Sequence, residues 1–185
     1  MRIIAGRFRG AKLAAPKDDS VRPTSDRVRE ALFNVLAHGI GDFEIEGARV
    51  LDLFAGTGAL GLEALSRGAR YCLFIEQSAA ARGLLRRNVE TLQLTGATRI
   101  WRRDATKLGP AGNLDPFDLM FLDPPYGKGL GEQALSAAYE GRWIKPQGIA
   151  VLEERAGAEI AIPPGYEELD IREYGDTQVA ILRAE

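Results

Sequence analysis

The chain has a single cysteine, Cys72, and a single histidine, His38. One thiol excludes an internal disulfide and a cysteine-based metal cluster. His38 falls just past the end of an expected helix, where an imidazole serves more readily as a terminal cation or surface group than as a ligand. No metal is therefore expected. No segment approaches the roughly 18 consecutive apolar residues of a membrane helix, so no membrane partner is expected either. The opening Met1-Arg2-Ile3-Ile4-Ala5-Gly6-Arg7 lacks the apolar stretch of a secretory leader. Together these absences point to the cytoplasm. A large net charge is missing as well: 24 Lys and Arg stand against 26 Asp and Glu, a net of −2, which is not the balance of a general polyanion binder.

The charge that is present is unevenly spread. Residues 1–29 sum to +5 and residues 30–185 to −7. A basic amino-terminal arm on an acidic body implies a polyanionic partner met at one end, or else a solvated basic face. With 185 residues and 45% hydrophobic side chains, the chain can bury the core of one domain, with room for a small appendage.

Residues 2–15 read as a short hairpin, two apolar stretches flanking a turn between Gly6 and Gly10. Ser25 is placed to cap a helix. Its buried face would carry Val28, Ala31, Leu32, Val35 and Leu36, and Gly39 and Gly41 would stop it. From residue 49 the pattern alternates: strands at 49–54, 71–76, 98–102, 117–122 and 148–153, helices at 59–67, 78–92 and 129–140. Asp118-Leu119-Met120-Phe121-Leu122 is a nearly unbroken apolar run, as in a strand covered on both faces. The alternation predicts an α/β fold, a mostly parallel sheet with helices on both sides. The tail differs: 166–173 and 177–183, joined by Tyr174-Gly175-Asp176, read as an antiparallel hairpin at the sheet edge.

The chemistry-bearing residues sit where those strands end. Residues 56–61 form a G-x-G-x-x-G turn between a strand and a helix, so Phe54, Gly56, Thr57 and Gly58 are candidates to line a ligand that approaches the backbone. Asp52, near the end of the same strand, would repel a pyrophosphate but can accept from the ammonium of a methionine moiety. That favours S-adenosylmethionine over a dinucleotide, although the same carboxylate also suits helix capping. Glu76 comes 20 residues after Gly56 and suits the two hydroxyls of a ribose. Asp104, with Ala105 beside it, follows the third strand and suits an adenine amino group, or a salt bridge to Arg102 or Arg103.

Asp123-Pro124-Pro125-Tyr126 follows the fourth strand directly. In open parallel sheets such a loop faces the ligand crevice at the carboxyl ends of the strands. An exocyclic amino nitrogen of a base is a poor nucleophile because its lone pair is delocalised into the ring. The Asp123 carboxylate and the Pro124 carbonyl can each accept one amino hydrogen, which favours a pyramidal nitrogen aimed at an electrophilic methyl. Positioning then supplies most of the gain. Pro125 stiffens the turn, and Tyr126 offers a flat face for stacking. Trp101 and Trp143 read as packing residues, Cys72 as an inert buried thiol, and Arg86 and Arg87 as a solvated helix face.

Glycine turn, acidic strand end and the DPPY tetrapeptide together resemble the Rossmann-like class I methyltransferases that act on amino groups. Arg22-Pro23-Thr24-Ser25-Asp26-Arg27-Val28-Arg29-Glu30-Ala31-Leu32-Phe33-Asn34, and the stretch from Asp52 through Leu62-Glu63-Ala64-Leu65-Ser66-Arg67-Gly68-Ala69, are similar to the bacterial small-subunit ribosomal RNA guanine-N2 methyltransferases of the RsmD family. The similarity runs over essentially the whole chain. It implies a seven-stranded, Rossmann-like methyltransferase domain over residues 41–185 behind a basic, RNA-contacting hairpin and helix over 1–40. It also implies a monomer that modifies a guanine of 16S RNA in the small subunit, with S-adenosylmethionine as cofactor. Arg7, Arg9, Arg22, Thr24 and Arg27 are the candidate RNA contacts of the basic end. Adenine-N6 methyltransferases of DNA share DPPY and stand as the alternative. A nicotinamide-dependent oxidoreductase would leave Asp52 and DPPY unexplained, and an RNA chaperone would leave the crevice idle.

Overall fold

The computed structural model describes residues 1–17 and 25–185. Its first helix, α1 (Asp26–His38), is capped by Ser25, whose hydroxyl accepts the amide of Val28 at 3.2 Å. The buried face is Val28, Arg29, Leu32, Phe33 and Leu36. Ala31 and Val35, expected there, are half-buried. The face turns because Arg29, a residue that apolar patterning ignores, is wholly buried.

Ten further elements follow: β1 (Arg49–Leu53), α2 (Ala59–Ser66), β2 (Tyr71–Ile75), α3 (Ala79–Thr91), β3 (Thr98–Trp101), β4 (Phe117–Leu122), α4 (Leu130–Glu140), β5 (Ile144–Arg155), β6 (Tyr166–Tyr174) and β7 (Thr177–Ala184). They build one seven-stranded sheet in the order β3-β2-β1-β4-β5-β7-β6. The first five strands are parallel, while β7 runs antiparallel to β5 and β6 antiparallel to β7. Most bounds fall within two residues of expectation, but β5 begins at Ile144 rather than 148. Phe117 pairs with Ile144 and Leu119 with Ile149, so β5 carries extra residues that bulge out around Gln147, whose φ is +69°. Proline and glycine at 146 and 148 hide that early start from a reader of the sequence.

Alternation along the strands divides the core in two. Val50, Cys72, Phe74, Leu119, Phe121 and Val151 face α1, α2 and α3, whereas Leu51, Leu73, Met120, Leu122, Ala150 and Leu152 face α4 and Trp143. The amino-terminal segment joins the first of these layers through Ile3 and Leu13. It runs antiparallel on itself with one bridge, Arg2 to Lys12, and lies along α2. The amides of Ile4 and Ala5 donate to the two oxygens of buried Glu63 at 2.8 and 3.1 Å, and the amide of Arg7 donates to the Ser66 carbonyl at 2.8 Å. Arg29 approaches the same Glu63 at 3.6 Å and donates to the Arg2 carbonyl at 2.9 Å.

Strand order reverses between β1 and β4. There the chain's connections diverge to opposite sides, and a crevice opens at the carboxyl ends of the strands.

Candidate active site

A cavity of about 1870 Å³ occupies that crevice, larger than the roughly 300–1,000 Å³ of a single small-molecule site. Asp52, Gly56, Glu76, Asp123 and Tyr126 all line it. Asp52 is 2% exposed, and its Oδ2 accepts the amide of Gly61 in the first turn of α2 at 3.0 Å. Burial pushes its carboxyl well above the usual range. The Gly61 hydrogen bond opposes that shift, and the charges of Asp123 and Glu76 reinforce it. Three carboxylates thus line one crevice, an arrangement that calls for a cationic ligand group.

The three glycines divide their work. Gly56 (φ +58°) would carry a side chain into open space, and its amide donates to Glu76 Oε1 at 2.8 Å. A methyl group at Gly61 would come within 2.5 Å of the Phe74 ring and 2.7 Å of Cys72 Sγ. One at Gly58 would overlap Leu85 of α3. Only Gly56 faces the crevice; Gly58 and Gly61 let the helices approach the sheet. Phe54, at φ +57°, holds a left-handed backbone costly for a bulky residue, and its ring side of the turn lines the crevice.

Glu76 follows β2, and its Oε2 accepts the amide of Ser78, the cap of α3, at 2.9 Å. Both of its oxygens are thereby held in place at the crevice wall. Asp104 is engaged elsewhere: Oδ1 accepts the amide and hydroxyl of Thr106 at 2.9 and 2.7 Å, which holds its carboxyl below the usual range. Neither Asp104 nor Ala105 lines the cavity, and Asp104 makes no salt bridge with Arg102 or Arg103 among the described residues.

The segment Asp123–Tyr126 projects from β4 on the far side of β1 from Glu76. Its proline pair is asymmetric, Pro124 buried and Pro125 exposed. Two tethers hold the loop. The Tyr126 hydroxyl lies 3.2 Å from Thr177 Oγ1 at the start of β7, and the Gly127 amide donates to Glu154 Oε1 at 3.1 Å. Glu154 and Thr177 escaped the sequence reading because each is an unremarkable polar residue at a strand end. So did Asn88, whose carboxamide accepts from the Ala14 amide at 2.6 Å and donates to the carbonyls of Ala14 and Thr57 at 3.1 and 2.9 Å. Its signal was a polar residue among Leu85 and Val89 on a helical face.

The basic residues part company. Arg22 and Thr24 lie outside the described residues. Arg7, Arg9 and Arg27 are exposed, but none lines the crevice. Lys12, Lys17, Arg87 and Arg155 do, so Arg87 belongs to the crevice rim and not only to a solvated helix face. Trp143 is fully buried, packed edge-on against Trp101 and donating to the Gly109 carbonyl at 2.8 Å.

This strand order, with an acidic glycine turn and an Asp-Pro-Pro-Tyr loop on one crevice, defines a methyltransferase of the Rossmann-like class. Residues 1–183 match the family described as Conserved hypothetical protein 95. The ribosomal RNA small subunit methyltransferase D of Haemophilus influenzae is 38% identical over 168 residues, spanning 90% of this chain and 84% of the relative. That of Escherichia coli K12 is 40% identical over 153 residues, 83% and 74% of the two chains. A solved Escherichia coli structure, yhhF, provisionally assigned as a methyltransferase, superposes with a TM-score of 0.84 at 34% identity over 100% of this chain and 98% of its own. The chain belongs to this family of small-subunit ribosomal RNA methyltransferases, the RsmD family.

Proposed function

We propose that this enzyme transfers the methyl group of S-adenosylmethionine to the exocyclic N2 amino group of a guanine in small-subunit ribosomal RNA. It would act as a single chain, in the cytoplasm, on an assembling or assembled small subunit. The observation that carries the reading is the meeting of two sets of residues in one crevice: Asp52, Gly56 and Glu76 on the floor and near wall, Asp123 to Tyr126 on the other. The names of the relatives supply the RNA class; the Asp123–Tyr126 chemistry supplies an exocyclic amino nitrogen, and the likeness to the RsmD family supplies guanine rather than adenine.

The site fits the cofactor on its own evidence. A buried, acidic strand end suits an ammonium, an open Gly56 admits a ligand against the backbone, and Glu76 at the cavity wall is the carboxylate that would accept from ribose hydroxyls. When bound there, the sulfonium supplies a methyl group already electrophilic enough for direct displacement. The protein's part is placement. Asp123 and the Pro124 carbonyl accept the two amino hydrogens of the base and turn its lone pair toward the crevice floor. Tyr126, fixed at its hydroxyl by Thr177, presents its ring to the base plane. The displacement makes a cationic amine, whose excess proton passes to Asp123 or to water. Of the DPPY segment, Pro125 stiffens the turn. Asp104 and Ala105, expected at the adenine end, are left out of this site because the carboxylate is held by Thr106 outside the cavity lining. Thr57 and Gly58 hold the turn, and residues 1–40 form the RNA-contacting extension of the 41–185 domain.

The test is mass spectrometry of nucleosides from 16S RNA of cells with and without the gene. Loss of one N2-methylguanosine, restored by the wild-type gene and not by Asp123→Ala, is expected. Loss of N6-methyladenosine instead would replace guanine with adenine, and no loss of any methylated base would refute the reading.

A further inference from the structure

The amino-terminal segment passes the crevice twice. Met1 meets Thr57, with the Thr57 hydroxyl 3.6 Å from the Met1 sulfur, and Ala14 returns to the same place through Asn88. Between them the chain descends along α2, so the tip that carries Arg7 and Arg9 sits at Ser66, the far end of that helix. Seven residues at 1.5 Å each put the tip about 10 Å from the crevice end of α2. Arg7 is further occupied there, its guanidinium stacked 4.6 Å over the Phe8 ring. The cations at the mouth are others. Lys12 and Lys17 on the returning strand and Arg87 on α3 line one wall. Arg155, at the end of β5, lines the opposite wall beside the β6–β7 turn, where Asp176 is the neighbouring acid. None of these four side chains makes a hydrogen bond or ion pair among the described residues. By contrast Arg29, Arg67 and Arg183 are paired with carboxylates.

We propose that a single strand of RNA crosses the mouth of the crevice between these two walls, its phosphates held by Lys12, Lys17 and Arg87 on one side of the target nucleotide and by Arg155 on the other, while Arg7 and Arg9 stay off it. The inference rests on the RNA methyltransferase reading above and assigns its binding path. A base must leave its stack to reach the crevice floor, and gripping phosphates on both flanks is what presents an unpaired base to a slot. Each phosphate contact to a single strand adds about 0.7 to the slope of log affinity against log salt.

The experiment compares three proteins on a fluorescein-labelled single-stranded oligoribonucleotide and on small subunits lacking the modification. They are the wild type, a rim variant (Lys12→Gln, Lys17→Gln, Arg87→Gln, Arg155→Gln) and a tip variant (Arg7→Gln, Arg9→Gln). The rim variant should lose about 2.8 from the salt slope and raise the KM for subunits, with S-adenosylhomocysteine affinity unchanged as proof of folding. Arg155→Gln alone should lose about 0.7, since its wall acts separately, and the tip variant should match the wild type. A rim variant with the wild-type slope, or a tip variant that loses as much, overturns the inference. A wild type that binds S-adenosylhomocysteine but methylates no small-subunit RNA overturns the proposed function, and this inference with it.

Discussion

Replacing Asp52 with asparagine separates two roles that the carboxylate holds at once. An amide oxygen still accepts the Gly61 amide, so the cap on α2 survives. What disappears is a buried charge facing the charges of Asp123 and Glu76. Because folding raises the Asp52 pKa, its ionisation destabilises the fold, and the protein loses that stability as pH rises from the ordinary carboxylate range through the raised value. The asparagine variant should therefore match the wild type at low pH and exceed it near neutrality. Relief of such a strained active-site group is worth about 0.5–2 kcal/mol, or about 1–8 °C in Tm at ~2–4 °C per kcal/mol for a domain of this size. The cofactor should report the opposite. Losing a charged hydrogen bond to its ammonium costs about 1.5–3 kcal/mol, roughly 10- to 150-fold in S-adenosylhomocysteine affinity. In the wild type that affinity should also fall as pH drops through the Asp52 pKa, and in the variant it should not. Calorimetric titration and thermal melts across pH read both quantities. A variant that melts lower and binds S-adenosylhomocysteine as well as the wild type would reduce Asp52 to a helix cap.

Asp123→Ala should abolish methyl transfer while holding or slightly tightening cofactor affinity, since one of the charges that raise the Asp52 pKa is gone; Asp123→Asn should keep part of the activity, and equal loss in both variants would make the carboxylate a true base. Tyr126→Ala should cost roughly 5- to 150-fold in kcat/KM, from about 1–3 kcal/mol of stacking. Tyr126→Phe keeps the ring and loses the hydroxyl that meets Thr177, so steady-state rates equal to those of the alanine variant would rule out stacking as its main role. Glu63→Ala leaves the amides of Ile4 and Ala5 and the Arg67 guanidinium without their acceptor and removes one of the two carboxylates beside buried Arg29, and should destabilise the protein by about 3–5 kcal/mol in urea titrations. A change below about 1 kcal/mol would show that the amino-terminal segment is docked by its other contacts and not by Glu63.

Periodicity and composition revealed the strands, the helices and the crevice because those features depend on repeated apolar residues and on glycine. Asp52, Glu76 and Asp123 were legible for a related reason: a carboxylate at the end of an apolar strand stands out against its neighbours. Asp104 stands out just as clearly, yet its carboxylate turns back to cap its own loop, a choice made by Thr106 two residues on. Arg29, Glu63 and Asn88 were hidden for the opposite reason, since a buried polar side chain is explained only by a partner distant in sequence, 59 residues away for Glu63 and Ile4. The basic end was read as a unit, but a hairpin lying along a helix delivers its tip and its base to opposite ends of α2.

The carboxamide of Asn88 joins two segments with separate duties, the returning arm at Ala14 and the glycine turn at Thr57. Whatever stills the turn also stills the arm through that amide, and free energy carried between them is the same in both directions. A cofactor that tightens the turn tightens RNA on Lys12 and Lys17 by the factor that RNA returns to the cofactor.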